Sequence, residues 1–115
     1  MEIDKSLVSG SMGLLVMKLL EGGDLYGYQM IEELRRRSED AFRLRAGTLY
    51  PLLHALEEKG LVTAYERMAE SGKARRYYHL TEQGGKALQE KENAWESYAR
   101  AMRRVLKGGA CFGCV

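Results

Sequence analysis

The chain has 115 residues, of which 45% are apolar and 30% charged, and its formal net charge is +2. This composition fits one small globular domain, and the near-neutral charge by itself says little about nucleic acid. The longest apolar run, residues 12–20, is broken by Gly13 and Lys18 and falls short of the roughly 20 residues that cross a bilayer. Since the N-terminus also lacks an export signal, we expect a cytoplasmic protein that contacts no membrane.

A first helix is predicted over residues 6–21. Its residues are apolar on most of the helix circumference, which is more than a monomer of this size can bury. We therefore expect part of this helix to pack on a partner subunit, and we expect Gly22 and Gly23 to end it.

A second helix is predicted from Asp24, its candidate N-cap, to about Arg37. Its predicted inward face consists of Gly27, Met30, Ile31 and Leu34. Tyr26 and Tyr28 lie in the first turn, where their hydroxyls either reach a phosphate or cap local structure. The sequence leaves both interpretations open.

A third helix carries the main functional expectation. Four leucines share one stripe of this helix: Leu49, Leu52, Leu53 and Leu56. That stripe must face a core. Because Pro51 fits only near a helix beginning, the helix is predicted to start at Gly47 or Thr48, and Gly60 is predicted to close it.

The opposite face of the third helix is small and sparsely charged. Gly47, Pro51 and His54 lie on this face, Thr48, Tyr50 and Ala55 lie on its flanks, and Arg45 stands just before the helix. A solvated face normally carries Lys and Glu, whereas small residues with a few hydrogen-bonding groups suit a helix that enters a DNA groove. A plain packing helix is the alternative. We assign base readout to Thr48, Tyr50 and His54, because two helices, a connector and this third helix follow the order of a helix-turn-helix.

A β-hairpin, or wing, is predicted over residues 61–80, with a turn around Gly72 between two segments rich in β-branched and aromatic residues. Lys73, Arg75 and Arg76 concentrate positive charge on its tip and returning strand. A charge run is more often a solvated loop. The basic segment of the wing lies next to the helix predicted to enter the DNA groove, and this position favours contact with DNA phosphates.

A long final helix is predicted to start at its N-cap Thr81 and to run to about residue 107. A seven-residue pattern defines a seam on it: Leu88, Trp95 and Met102 in one position, and Lys91, Tyr98 and Val105 in the other. Intrachain core is the ordinary interpretation of such a seam. The winged unit already has its helices and hairpin, so we favour dimerisation through Leu88, Trp95, Tyr98, Met102 and Val105.

Trp95 and Tyr98 would meet their counterparts near the two-fold axis of such a dimer. A gap between these rings is a candidate site for a flat aromatic effector, and a fully packed dimer core is the alternative.

The tail, residues 108–115, is rich in glycine and is predicted to be disordered. Cys111 and Cys114 form a lone C-x-x-C, and no other cysteine is present. Two tails in a dimer would supply four thiolates for a metal, and a redox pair is a further interpretation. An exposed tail that holds no metal or cofactor is the expectation.

Five segments occur in a characteristic order: Tyr26-Gly27-Tyr28, the run GTLYPLL at 47–53, LEEKGL at 56–61, RRYY at 75–78 and LTEQG at 80–84. From about Leu14 to Val105, the sequence resembles the PadR-like transcriptional regulators, in particular the short subgroup with a single C-terminal dimerisation helix. The resemblance implies a homodimeric winged-helix repressor whose third helix enters the major groove and whose wing follows the DNA backbone. In some members of the family a small aromatic or drug-like molecule releases the DNA.

Two positions depart from the family pattern. Arg45-Ala46 stands where many members have Ser-Pro, so the third helix lacks a hydroxyl N-cap and gains a charge near phosphates. The tryptophan that stacks on ligand in drug-responsive members aligns with Tyr98 here rather than with Trp95.

The predicted fold is mostly α with a small antiparallel hairpin (α+β), a winged helix-turn-helix over residues 1–80 followed by a dimerisation helix over 81–107. The predicted function is that of a homodimeric repressor that binds operator DNA sequence-specifically. A small aromatic effector is expected to release the repressor from this DNA. An enzyme is not expected, because the chain has neither a nucleophile paired with a base nor a phosphate loop. The alternative is a winged-helix interaction module or a redox or metal sensor that uses the Cys pair.

Overall fold

The computed structural model of the chain describes residues 11–107. In this range lie α1 (Met12–Glu21), β1 (Leu25–Tyr26), α2 (Gly27–Arg37), α3 (Ala46–Glu58), β2 (Val62–Met68), β3 (Ala74–Leu80) and α4 (Glu82–Leu106). The strands form one antiparallel sheet in the order β1-β3-β2. This α+β arrangement confirms the predicted winged helix-turn-helix with a long C-terminal helix. No helix among these residues is long and apolar enough to cross a membrane.

The core lies where the first three helices meet one face of the sheet and the start of α4. Its buried side chains are Val16, Met17, Leu19, Leu20, Met30, Leu34, Leu44, Leu49, Leu53, Leu56, Leu61, Val62, Tyr78 and Leu88. Within residues 11–107 no charged side chain is buried. Apolar burial therefore holds this unit together without a buried ion pair. The predicted beginning of the first helix, at residues 6–10, and the tail with Cys111 and Cys114 lie outside the described residues.

The start of α2 differs from the prediction. Asp24 is not its N-cap, because β1 intervenes and the helix begins at Gly27 with Tyr26 in the capping position. The backbone N–H of Tyr26 donates to Oε1 of Gln29 at 3.1 Å, which satisfies a donor at the helix end. The carboxylate of Asp24 is instead bound by side chains of the wing. The predicted end of α2 at Arg37 is confirmed.

The leucine stripe of α3 faces the core as predicted, with Leu52 half-buried and the other three leucines buried. The helix begins at Ala46, slightly before the predicted start, so Pro51 is its sixth residue. A proline there leaves the carbonyl of Gly47 without its helical donor, and water can solvate that carbonyl because Gly47 is exposed. Gly60 follows the helix with a φ of 75°, as expected of a glycine that closes a helix.

The wing consists of β2, β3 and the loop that joins them. Val62 pairs with Leu80 at its base and Met68 with Ala74 at its tip. In the loop, the N–H of Ala69 donates to the carbonyl of Lys73 at 2.8 Å. Gly72 has a φ of 87°, a conformation that favours glycine. The predicted hairpin and its turn are therefore confirmed.

The final helix, α4, starts as predicted with Thr81 as N-cap, whose Oγ1 accepts from the N–H of Gly84 at 2.9 Å. The assignment of Leu88 to the dimer seam is wrong, because Leu88 is 1% exposed and belongs to the core of its own chain. The first turns of α4 pack on α1, where Lys18 Nζ lies 3.1 Å from Oε1 of Glu92. Beyond Leu88 no α4 residue in the described range is buried.

Candidate nucleic-acid interface

The outward face of α3 is exposed along its N-terminal half. Exposed residues in and just before this half are Arg45, Ala46, Gly47, Thr48, Tyr50 and Pro51, and His54 is exposed about one turn further on. The first turn contains no acidic residue, and no side chain caps it. Free N–H groups at a helix N-terminus together with the helix dipole favour an anion such as a phosphate. The predicted readout face is thus free to meet a partner.

Tyr50 is only partly directed to that partner. Its side chain is 40% exposed, and its hydroxyl end lies against Gly27 at the start of α2. A Cβ added to Gly27 would come within 2.8 Å of Tyr50 Cζ, so no larger residue fits there without a shift. Tyr50, assigned to base readout from the sequence, therefore also packs against the start of α2. Thr48 and His54 have no such packing role.

Tyr26 and Tyr28, left open by the sequence, have different surroundings. Tyr28 is 61% exposed. Tyr26 is half-buried, and its ring meets the edge of the Tyr77 ring at a centroid distance of 5.4 Å. The guanidinium of Arg75 covers it at 4.6 Å from the centroid. Tyr26 thus packs within the sheet, whereas Tyr28 is available at the surface.

The basic residues of the wing lie on two faces. Arg76 is on the face of the sheet that meets the helices, and its Nη2 lies 3.6 Å from Oε2 of Glu57 on α3. Hydrogen bonding to Tyr78 and the nearby charge of Glu57 raise the pKa of Arg76. Arg75 lies on the opposite face, and Lys73 is exposed in the loop. Arg76 therefore links the wing to α3 as well as adding charge.

The opposite face, which we call the outer face, carries Tyr26, Tyr65, Arg67, Arg75, Tyr77 and His79. Tyr65 and Tyr77 stack at 5.7 Å with their planes 14° apart. Because side chains alternate between the two faces along a strand, the sequence pattern of the two long strands predicts that Tyr65, Arg67, Arg75, Tyr77 and His79 share one face. The contribution of Tyr26 was missed, because a strand of two residues has no periodicity that a sequence reveals.

Asp24 ties the outer face to the turn after α1. Its Oδ2 accepts from the Tyr65 hydroxyl at 2.6 Å, and its Oδ1 lies 2.8 Å from Nδ1 of His79. The hydrogen bond from Tyr65, followed by that from His79, holds the pKa of the Asp24 carboxyl below its ordinary 3.8. One carboxylate thereby connects both long strands of the wing to the body of the domain.

The arginines of α2 are neutralised locally. Arg35 pairs with Glu32 and Asp40, and Arg36 and Arg37 both pair with Glu33. The hydrogen bonds from Arg36 and Arg37 lower the pKa of Glu33 to about 2. The wing and the segment before α3 therefore carry arginines outside any ion pair in the described residues, whereas the three arginines of α2 are all paired.

Large apolar side chains are exposed along the second half of α4. Trp95 is 50% exposed, Tyr98 64%, Met102 41% and Val105 78%. An apolar stripe of this kind on a projecting helix marks an interaction surface. Among residues 11–107, no group of three potential ligands is arranged to hold a metal.

This fold, with an exposed small-residue helix beside a basic wing, defines a winged helix-turn-helix regulator. A family model described as the transcriptional regulator PadR-like family matches residues 16–90. The chain belongs to this family, as its resemblance predicts, and is a transcriptional regulator rather than an enzyme. The match does not favour the alternative of an interaction or redox module.

Similar proteins described as transcriptional regulators support this family assignment. The transcriptional regulator Rv3488 of Mycobacterium tuberculosis is 40% identical over 77 residues, which cover 67% of this chain and 68% of that protein. A PadR family transcriptional regulator from Eggerthella lenta is 30% identical and superposes with a TM-score of 0.78 over 89% of this chain and 87% of that chain. A transcriptional regulator from Clostridium thermocellum, 27% identical, gives a TM-score of 0.80 over 87% and 97%.

Proposed function

We propose that this regulator is a cytoplasmic, homodimeric repressor that binds double-stranded operator DNA through α3 and the wing. The observation that carries the proposal is the absence of any acidic residue from Arg45 to His54 on an exposed helix beside a basic hairpin. DNA presents one negative charge per ~1.7 Å of helix axis. A helix face without acidic side chains approaches this charge with no like-charge repulsion.

In this proposal α3 enters the major groove with the exposed face that extends from its N-terminus to His54. Thr48 and His54 contact base edges, while Gly47 and Pro51 let the backbone approach the groove. Arg45 and the uncapped N–H groups beside it bind a phosphate. With few side chains available for readout, specificity depends partly on DNA shape.

Backbone contacts on either side of α3 complete the proposed interface. Tyr28 is the exposed member of the tyrosine pair and offers a hydroxyl to a phosphate. Lys73, Arg75 and Arg76 bring the charge of the wing to the sugar-phosphate backbone beside the groove. For Arg76 this requires that it exchange Glu57 for the phosphate, since the two residues form an ion pair in the free chain.

In this proposal residues 1–80 bind DNA and residues 81–107 form the dimer. Trp95, Tyr98, Met102 and Val105 supply the apolar contact between two copies of α4. A two-fold dimer presents two copies of α3 to a palindromic operator.

Effector control is the remaining part of the proposal. Trp95 and Tyr98 are three residues apart on one side of α4 and are exposed in a single chain. A flat aromatic molecule that binds between such rings in the dimer would change the separation of the two α3 helices.

Effector control is tested by titrating planar aromatic compounds while Trp95 fluorescence and DNA binding are followed in parallel. Quenching of Trp95 fluorescence without a change in DNA affinity would contradict effector control of DNA binding. The absence of quenching would contradict a ligand site at Trp95 and Tyr98.

Repression is tested by measuring the binding of the intact chain to DNA from the region upstream of its own gene. Fluorescence anisotropy should show tight binding to one segment of that DNA and at least a hundred-fold weaker binding to a shuffled duplex of the same length, since specific sites exceed non-specific ones by ~10³ or more. A reporter placed behind the bound segment should be less active when the regulator is present. Equal affinity for both duplexes would contradict sequence-specific binding, and higher reporter activity would contradict repression.

A further inference from the structure

Arg67 and Arg75 face each other directly across the wing. They are register partners in the β2–β3 ladder, one pair inward from the last pair before the loop, Met68 and Ala74. Both side chains lie on the outer face. Like charges directly opposite each other destabilise an antiparallel sheet, so this arrangement costs stability in the isolated protein.

Neither arginine has a carboxylate partner that offsets this cost. Within residues 11–107, every ion pair of 4.0 Å or less involves other side chains. The charge of Arg67 acts on the carboxylate of Asp24, but that carboxylate is hydrogen-bonded to Tyr65 and His79. By contrast, the three arginines of α2 are all paired.

Aromatic rings hold both guanidinium groups in place. Arg75 lies 4.6 Å from the ring centroid of Tyr26, and Arg67 lies 5.7 Å from that of Tyr77. The rings of Tyr26 and Tyr77 in turn contact each other edge to face. A ring attracts a guanidinium and limits its motion, but it does not neutralise the charge. The outer face thus presents two oriented arginines on neighbouring strands, and neither of them forms an ion pair of 4.0 Å or less within residues 11–107.

We infer that Arg67 and Arg75 together form a site for one phosphate of the DNA backbone beside the groove that α3 occupies. This inference rests on the proposed DNA binding and adds Arg67 as a contact that the basic tip alone does not indicate. A guanidinium presents a fork of N–H donors that matches phosphate oxygens, and two such forks from opposite strands can hold one phosphate from two sides.

The phosphate also resolves the like-charge repulsion that the free protein carries. Binding brings a negative charge between the two arginines, so the pair becomes favourable only in the complex. Tyr26 and Tyr77 act as positioning residues, because they set the direction of the guanidinium groups without touching the DNA.

The experiment compares Arg67→Gln, Arg75→Gln and Arg100→Gln in the full chain. Arg100 provides a matched loss of one charge on α4, beyond its last buried residue. Affinity for the bound upstream segment and for a shuffled duplex is measured between 50 and 300 mM salt. Replacing both arginines together should lower the slope of log affinity against log salt by about 1, the value for one phosphate contact. Each single wing substitution should lower the slope by part of that amount, and all three wing variants should bind both duplexes more weakly by the same factor. Arg100→Gln should leave the slope unchanged.

Two further variants separate positioning from simple structural damage. Tyr77→Phe keeps the ring and should keep the salt slope, whereas Tyr77→Leu should lower it in a protein that still folds. An unchanged slope for Arg67→Gln, with wild-type DNA binding intact, would overturn the phosphate site and leave the proposed function standing. Absence of DNA binding by the wild-type chain would overturn both.

Discussion

The hydroxyl end of Tyr50 on α3 lies against the backbone of Gly27 on α2, in the space that a side chain at position 27 would occupy. Gly27 is buried and helical, so the glycine is required by the close approach of Tyr50 rather than by its own backbone conformation. The contact adds to the buried packing of Met30 and Leu34 against the leucines of α3, and it joins the two helices of the helix-turn-helix near the start of α2. Through this packing, the geometry of α2 sets the position of the proposed readout face.

Gly27→Ala should therefore destabilise the chain and weaken DNA binding together. Overpacking at this contact is expected to lower the free energy of unfolding by about 1–3 kcal/mol, as measured by urea denaturation. Gly85→Ala is the matched control, because a Cβ at Gly85 meets nothing within 4 Å. Gly85 is half-buried and helical, and with open space at its Cβ position alanine should be neutral or stabilising, by up to about 1 kcal/mol. A Tyr50→Ala background should remove most of the Gly27→Ala penalty, and an undiminished penalty there would contradict the contact.

Much of this architecture follows from local patterns in the sequence. The leucine stripe of α3, the Gly60 stop, the hairpin around Gly72 and the Thr81 cap each depend on neighbouring residues, and all are present. β1 and the role of Asp24 could not be predicted in the same way. A two-residue strand forms only because β3 is there to pair with it, and the partners of Asp24 are 41 and 55 residues away along the chain.

The site was predictable to a similar extent. The helical spacing that places the leucines of α3 toward the core also places Thr48 and His54 away from it, so both are surface residues as expected. The division of Arg75 and Arg76 between two faces follows from strand alternation once the register is known. Leu88 was misassigned because one heptad pattern fits both a dimer seam and an intrachain contact. Only the packing of α4 on α1 distinguishes the two.

His54 tests base readout on α3. Replacing it with alanine should reduce affinity for the operator by about five-fold, or about 1 kcal/mol, through the loss of one base contact. Affinity for a shuffled duplex should stay the same, because His54 is not proposed to contact phosphates. The comparison is made by anisotropy at one salt concentration. Equal losses on both duplexes would assign His54 to backbone contact instead.

Asp24 makes stability depend on pH in a defined direction. Its pKa is lowered in the folded state, so its contribution is complete above the ordinary value of 3.8 and disappears as the pH falls through the folded value. Asp24→Asn should cost about 1–2 kcal/mol at pH 7, since two hydrogen bonds to a charged group are weakened. Thermal unfolding of both proteins from pH 7 to pH 2 should show this difference shrinking with acid. A constant difference across that range would contradict the assignment to the carboxylate charge.

The exposed stripe of α4 predicts the oligomeric state. Met102→Glu places a charge in the proposed seam and should shift the protein from dimer to monomer in sedimentation at micromolar concentration. Asn93→Glu introduces the same charge on the other side of the helix, at an exposed position, and should leave the dimer intact. Dissociation by both variants, or by neither, would be inconsistent with the seam.

In the proposed dimer, two copies of α3 read one operator. Hydroxyl-radical footprinting of the wild-type protein on the bound upstream segment can show this arrangement. Two protected half-sites should appear, with centres ~34 Å or ~10 base pairs apart, or a whole multiple of that distance. Met102→Glu should lose this paired protection at the same protein concentration. Protection of a single half-site by the wild-type dimer, or uniform protection along the duplex, would contradict this arrangement.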